Sequence, residues 1–110
     1  MNTDFETSHL NPEQKKIAES IIDLLKEVND REPDGGGCKA FYTPEEWKEK
    51  GERYGTESAL VLVHDGGDLA PFCNLDYQCY ERHEALNQAL DKIGYYFESC
   101  THWYAAVYKV

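Results

Sequence analysis

The first third of the chain repeats apolar residues at the spacing of an α-helix, between the polar segments around residues 11 and 30. This spacing places the apolar side chains on one face of a helix that must be covered by other parts of the fold. Asn11 and Pro12 are typical of a helix start. The stripe consists of Ile17, Ile21, Leu24, Leu25 and Val28.

Residues 33–37 (Pro-Asp-Gly-Gly-Gly) cannot continue this helix. Three consecutive glycines predict a flexible joint at residues 35–37, after an N-terminal helical arm at residues 1–34. The sequence leaves three arrangements open for this arm. It can pack on its own chain, exchange with a second copy in a homodimer, or remain mobile.

A second, shorter helix is predicted after Thr43. Thr43 and Glu46 have the spacing of a capping box, and Pro44 occupies the first helical position. Charges of both signs alternate along this helix, which is typical of a solvated face. Trp47 is its one large apolar side chain.

From residue 57 the pattern becomes that of strands. Residues 59–63 are apolar on both faces, which predicts an inner strand covered on both sides. The Asp65–Gly66 pair predicts a hairpin turn into a second strand over the apolar run at residues 69–73. Pro71 makes that second strand short or places it at an edge.

The last third predicts one helix and two strands. The helix covers residues 77–94, and the strands at 95–100 and 103–110 flank a turn. The whole chain therefore predicts a single α+β domain at residues 1–110, with two N-terminal helices followed by β-β-α-β-β. We expect a mostly antiparallel sheet of about four strands, packed on helices, with the α+β core at residues 38–110.

The charge of the chain limits its partners. It carries 21 acidic and 11 basic residues in 110, a net charge of −10. Direct binding to nucleic-acid phosphates or anionic membranes requires clustered basic residues, so both are disfavoured. The N-terminus is acidic and lacks the pattern of a signal peptide, and no apolar run approaches about 20 residues. We therefore expect a cytoplasmic protein with reduced cysteines and a protein partner.

The stretch at residues 64–83 contains candidate metal ligands. Cys73, Cys79 and His83 are spaced C-x5-C-x3-H, and Cys100 and His102 can complete a tetrahedral set. Structural zinc sites usually begin with two cysteines separated by two to four residues, so this spacing is off pattern. We expect cysteines in the core and neither a metal nor a cofactor.

A catalytic site is the alternative interpretation of the same chemistry. A metal- or thiol-dependent enzyme would use the histidine, carboxylate and thiol groups of His64, Asp65, Cys100 and His102. Neither of the common glycine-rich phosphate motifs is present, and the segment at residues 64–68 is explained as a turn. We therefore favour a protein without enzymatic activity.

Aromatic residues are the more informative feature. Nine of the 14 aromatic residues lie from residue 72 onward, and the last predicted strand carries three of them. They are either core or an interaction surface of tyrosine and tryptophan, which dominate binding hot spots. The predicted partner-binding residues are Trp47, Tyr96, Trp103, Tyr104 and Tyr108.

Together these features predict a small acidic protein that binds a macromolecular partner. We expect that partner to be basic and to handle nucleic acids, with this chain as an inhibitor or accessory factor, including one from a mobile element. Nucleic-acid mimicry is a specific form of this hypothesis. Ten net charges correspond to about 17 Å of duplex DNA, which is a short stretch to mimic.

Overall fold

A computed structural model describes residues 4–110, which form an antiparallel sheet with helices on both faces. The helices are α1 (Pro12–Asn29), α2 (Pro44–Glu49), α3 (Ala70–Cys73) and α4 (Tyr80–Asp91), with a 3-10 turn at Leu75–Tyr77. The strands are β1 (Phe41–Tyr42), β2 (Leu60–Val63), β3 (Tyr95–Ser99) and β4 (Tyr104–Lys109). The predicted α+β class is confirmed.

The four strands lie in the order β1-β2-β4-β3, and every neighbouring pair is antiparallel. β2 is an inner strand with all four residues buried, as its apolar character on both faces predicted. Leu60 pairs with Val107 in β4, while Phe41 in β1 pairs with Leu62. The sheet therefore ends at β1 on one side and at β3 on the other.

The main core lies between the sheet and helices α1 and α4. Ile17, Ile21 and Leu25 of α1 are fully buried there, which confirms most of the predicted stripe. Val28, at the end of the stripe, is 40% exposed. A capping box between Asn11 and Gln14 begins α1. The helix packs on its own chain, because its buried residues belong to the same core cluster as those of the sheet.

A smaller cluster covers part of the opposite face. The predicted capping box of Thr43 and Glu46 begins α2, which lays Trp47 on the sheet. Trp47 packs there with Val61 and Tyr104. This outer face is covered by one short helix, whereas α1 and α4 cover the inner face.

The predicted hairpin after β2 is corrected by the structure. Residues 70–73 form α3 and not a strand. Pro71 cannot donate a ladder hydrogen bond, but it fits the first turn of a helix. The position beside β2 is taken by β1, a two-residue strand that precedes α2 and was not predicted. The third predicted helix begins at Tyr80 because Gln78 adopts a left-handed conformation.

The glycine-rich segment after α1 packs against the turn after β2. The amide of Asp34 donates to the Asp68 carboxylate at 2.9 Å, and the Asp68 amide donates to the Asp34 carbonyl at 2.7 Å. The Arg31 guanidinium also pairs with Asp68. Gly67 lies so close to Gly35 that a β-carbon there would be 2.5 Å from the Gly35 carbonyl carbon. These contacts pack the segment of the predicted joint against the turn after β2.

Candidate functional site: a tyrosine surface at the sheet edge

The predicted partner-binding aromatics divide into two groups. Trp47 and Tyr104 are both 1% exposed, and their ring centroids lie 4.9 Å apart in the outer core cluster. Trp103 is partly buried against the same cluster. These three residues stabilise the attachment of α2 to the sheet, so they are placed in or against the core.

Tyr96 and Tyr108 form the second group, on the outer face beyond the reach of α2. They are directly opposite each other in the β3–β4 register. Their rings stack with centroids 5.7 Å apart and an interplanar angle of 26°. Tyr96 is 41% exposed, and Tyr108 is half-buried. One ring face of the stack therefore remains available to another molecule.

A loop brings further residues to this pair. Gly55 has a φ of +80°, and a β-carbon there would lie 3.2 Å from the Ala106 side chain, so the loop packs closely on β4. Beside it lies a cavity of about 430 Å³ whose walls include Tyr54, Glu98 and Tyr108. We call the following residues the tyrosine surface: Tyr54, Glu57, Tyr96, Glu98 and Tyr108.

The tyrosine surface is electronegative. Burial raises the pKa of Tyr108, and the neighbouring Cys100 and Glu98 raise it further, as do Tyr96 and Glu57. The carboxylates therefore lie close enough to disfavour a new negative charge at the ring. Among the described residues, Arg53 is the one basic residue in the cavity wall. The surface offers aromatic faces and carboxylates together, which is the chemistry that binds a cation.

Sequence reasoning identified Tyr96 and Tyr108 but not the other members of the surface. Glu98 follows Tyr96 at the two-residue spacing of one strand face, so its position beside Tyr96 could be predicted from the sequence. Tyr54 and Glu57 lie in a loop between α2 and β2. Their position depends on how that loop folds back onto β4, which has no periodic signal.

The residues of the catalytic alternative do not all line one cavity, although Asp65 and His102 lie close enough to His64 to affect its pKa. His64 is 2% exposed, and neither ring nitrogen has a hydrogen-bond partner among the described residues. Cys100 opens into the cavity of the tyrosine surface, whose walls include neither His64 nor His102. Burial and the Glu98 carboxylate raise the pKa of the Cys100 thiol, which keeps it protonated and weakly nucleophilic. Asp65 is exposed in the turn after His64.

The candidate metal ligands are also dispersed. Within residues 4–110, no three His, Cys, Asp or Glu side chains converge as a metal site would require. The Nδ1 atom of His83 lies 3.0 Å from the Phe72 carbonyl oxygen, and its ring packs on the edge of Phe97. Cys73 is buried in the main core, where burial raises the pKa of its thiol. Cys79 precedes the first residue of α4.

A wider cavity of about 690 Å³ lies on the other side of the molecule, between α1 and α4. Its walls include Val28, Tyr80 and Arg82. It combines exposed apolar surface with charges of both signs, since Glu81 also lines it. This mixture gives no preference for one class of ligand, unlike the tyrosine surface.

Among the described residues, no helix has the length and apolar composition needed to cross a bilayer. No protein-family model, curated protein or solved structure matches this chain.

Proposed function

We propose that this chain is a small acidic binding protein, without catalytic activity of its own, that engages a basic macromolecular partner through the tyrosine surface. The observation that carries the proposal is the exposed stack of Tyr96 on Tyr108 with Glu57 and Glu98 beside it. Of the five aromatic residues predicted to bind a partner, the proposed site includes Tyr96 and Tyr108. The other three lie in or against the core, and the site contains Tyr54, Glu57 and Glu98 in addition.

The chemistry of this surface favours Arg or Lys of a partner. A guanidinium stacks on a tyrosine face and is attracted by the ring electrons. The same group can donate two hydrogen bonds to a carboxylate. Tyr96 and Glu98 lie two residues apart on one strand face, so one cation can contact both.

The charge of the whole chain adds long-range attraction. A net charge of −10 attracts a basic protein, and this attraction accelerates association and weakens with salt. Proteins that handle nucleic acids carry basic surfaces for phosphate contact. Covering such a surface would keep the nucleic acid away from it, so an inhibitor or accessory factor is the role that we propose.

The test uses fluorescently labelled nonaarginine as a basic probe. Its affinity is measured by anisotropy for the native chain, for Glu57→Gln/Glu98→Gln, and for a control, Glu19→Gln/Glu27→Gln. Glu19 and Glu27 are exposed on α1, on the opposite face of the sheet. Both double variants have the same net charge, so any difference between them reports the site.

We expect the Glu57/Glu98 variant to bind about five- to tenfold more weakly than the control variant, since each exposed ion pair contributes up to about 1 kcal/mol. The Tyr96→Ser variant should weaken binding further at unchanged charge. Equal affinities for the two charge variants would show that the probe reads net charge alone, and the proposal would then be wrong.

A further inference from the structure

The backbone of β3 has one unpaired edge. β3 is the last strand of the sheet, and its ladder partner is β4. Hydrogen bonds at both ends of this ladder show which residues of β3 point their backbone N–H and C=O groups toward β4. The Cys100 amide donates to the Tyr104 carbonyl at 3.1 Å, and the Val110 amide donates to the Gly94 carbonyl at 2.9 Å.

Antiparallel strands alternate residues that point toward the partner with residues that point away. Gly94 and Cys100 point toward β4, so the even-numbered residues between them do so as well. The backbone N–H and C=O groups of Tyr95, Phe97 and Ser99 therefore point away from the sheet. In the range 4–110, no other backbone group is hydrogen-bonded to them.

We propose that an extended segment of the basic partner adds to this edge as a fifth strand, with basic side chains at alternate positions over the tyrosine surface. This inference rests on the proposed function and specifies the form of the partner. Main-chain hydrogen bonds give such an added strand its affinity, and alternate side chains give it specificity.

The side chains of β3 alternate in the way that such an added strand requires. Tyr96 and Glu98 point to the outer face, while Tyr95 and Phe97 are buried on the inner face. Residues directly opposite on neighbouring strands have β-carbons about 4.5–5.5 Å apart. A cation opposite Tyr96 or Glu98 thus lies beside both the carboxylate and the ring stack.

The charge of the edge disfavours a second copy of this chain as the occupant. An antiparallel pair of β3 strands centred on Phe97 would place the two Glu98 residues diagonally, about 7–8 Å apart. Each chain also carries a net charge of −10. Charged residues on an edge strand are a common protection against self-pairing. A basic strand is attracted to this edge instead of being repelled, because its cations neutralise the same carboxylates.

The probe for this inference is an acetylated and amidated heptapeptide of alternating arginine and valine. Two further peptides carry N-methyl groups, one on every valine and the other on every arginine. Only alternate amides of an added strand face its neighbour. One methylated peptide should therefore bind at least about tenfold more weakly, while the other stays within about threefold of the parent.

Hydrogen exchange gives the second readout. With the parent peptide bound, the amides of Tyr95, Phe97 and Ser99 should exchange at least about tenfold more slowly. The amides of Tyr96 and Glu98, which already bond to β4, should change little.

The outcomes distinguish two claims: that basic partners bind at the tyrosine surface, and that they bind as an added strand. If both methylated peptides bind like the parent, or if nonaarginine binds and the heptapeptide does not, strand addition is wrong and the proposed function stands. If no basic probe binds, the proposed function fails with it. If the three amides become protected at high protein concentration without peptide, the occupant of the edge is a second copy.

Discussion

His64 carries an energetic cost that a single substitution should reveal. Its side chain is 2% exposed, and both ring nitrogens lack hydrogen-bond partners in the described part of the chain. Burial lowers the pKa of His64. Backbone groups of His64 itself and of Tyr104 lie near the ring, outside hydrogen-bonding geometry, and favour its protonated form, as does Asp65. Each of these effects is smaller than that of burial, and the nearby His102 acts in the same direction as burial. The folded protein therefore holds this imidazole neutral.

The lowered pKa determines how stability depends on pH. An unfolded histidine titrates near pH 6.5, and His64 in the folded state titrates at lower pH. Between these values the unfolded chain binds more protons, so stability falls as the pH decreases from about 6.5. The slope from this one group is at most about 1.4 kcal/mol per pH unit, and it becomes negligible above about pH 8.

The variant His64→Leu tests both parts of this reasoning. Removing the unpaired nitrogens should raise the free energy of unfolding by about 1–3 kcal/mol at neutral pH. The variant should also lose the slope that His64 contributes below about pH 6.5. Urea unfolding of both proteins between about pH 5 and 7.5 measures these two quantities together.

Parallel stability curves for the two proteins across this pH range would refute the neutral, desolvated His64. A less stable variant at neutral pH would indicate that the ring nitrogens are paired, through water or through a bound group.

Two further substitutions test the packing. Trp47→Ala should reduce the free energy of unfolding by about 3–5 kcal/mol in urea titrations, because it removes the buried anchor of α2; a loss below about 1 kcal/mol would contradict that role. Gly67→Ala should cost at least about 1 kcal/mol more than Gly66→Ala, measured in the same way. Both glycines have positive φ, but only at Gly67 does a β-carbon meet another backbone, near Gly35, while nothing described lies within 4 Å at Gly66. Equal losses would refute the close approach.

The elements that sequence predicts well are those with local signals. The Thr43–Glu46 capping box gives the start of α2 directly, because the hydrogen bonds that begin the helix join residues three apart. β2 is predicted by its unbroken apolar run, since both of its faces are buried. β3 and β4 follow from a short turn between two aromatic strands.

The hairpin after β2 shows where local signals are insufficient. Gly66 and Gly67 do reverse the chain with positive φ, as the Asp-Gly pair suggested. The chain then follows the hydrogen bonds between Asp68 and Asp34, which are 34 residues apart. A short apolar run such as residues 69–73 fits a buried helix or a strand equally well. Tertiary contacts determine that residues 69–73 include a helix and not a strand, and these contacts cannot be predicted from the apolar run alone.

The candidate site was predictable in part for the same reason. Alternation along β4 places Tyr104 and Tyr108 on one face, and the sequence leaves open which of them is covered. In the structure Trp47 of α2 packs on Tyr104, whereas Tyr108 stacks on Tyr96 and is only half-buried. The acidic partners in the loop after α2 depend on the packing of Gly55 against β4, which follows from the three-dimensional structure alone.

Binding of basic partners at the tyrosine surface can be located residue by residue. An amide chemical-shift titration of the isotopically labelled protein with nonaarginine tests it most directly. We expect the largest shifts on Tyr54, Glu57 and residues 95–99, together with Tyr108. Shifts centred on α1 or on the cavity between α1 and α4, with β3 unaffected, would contradict it.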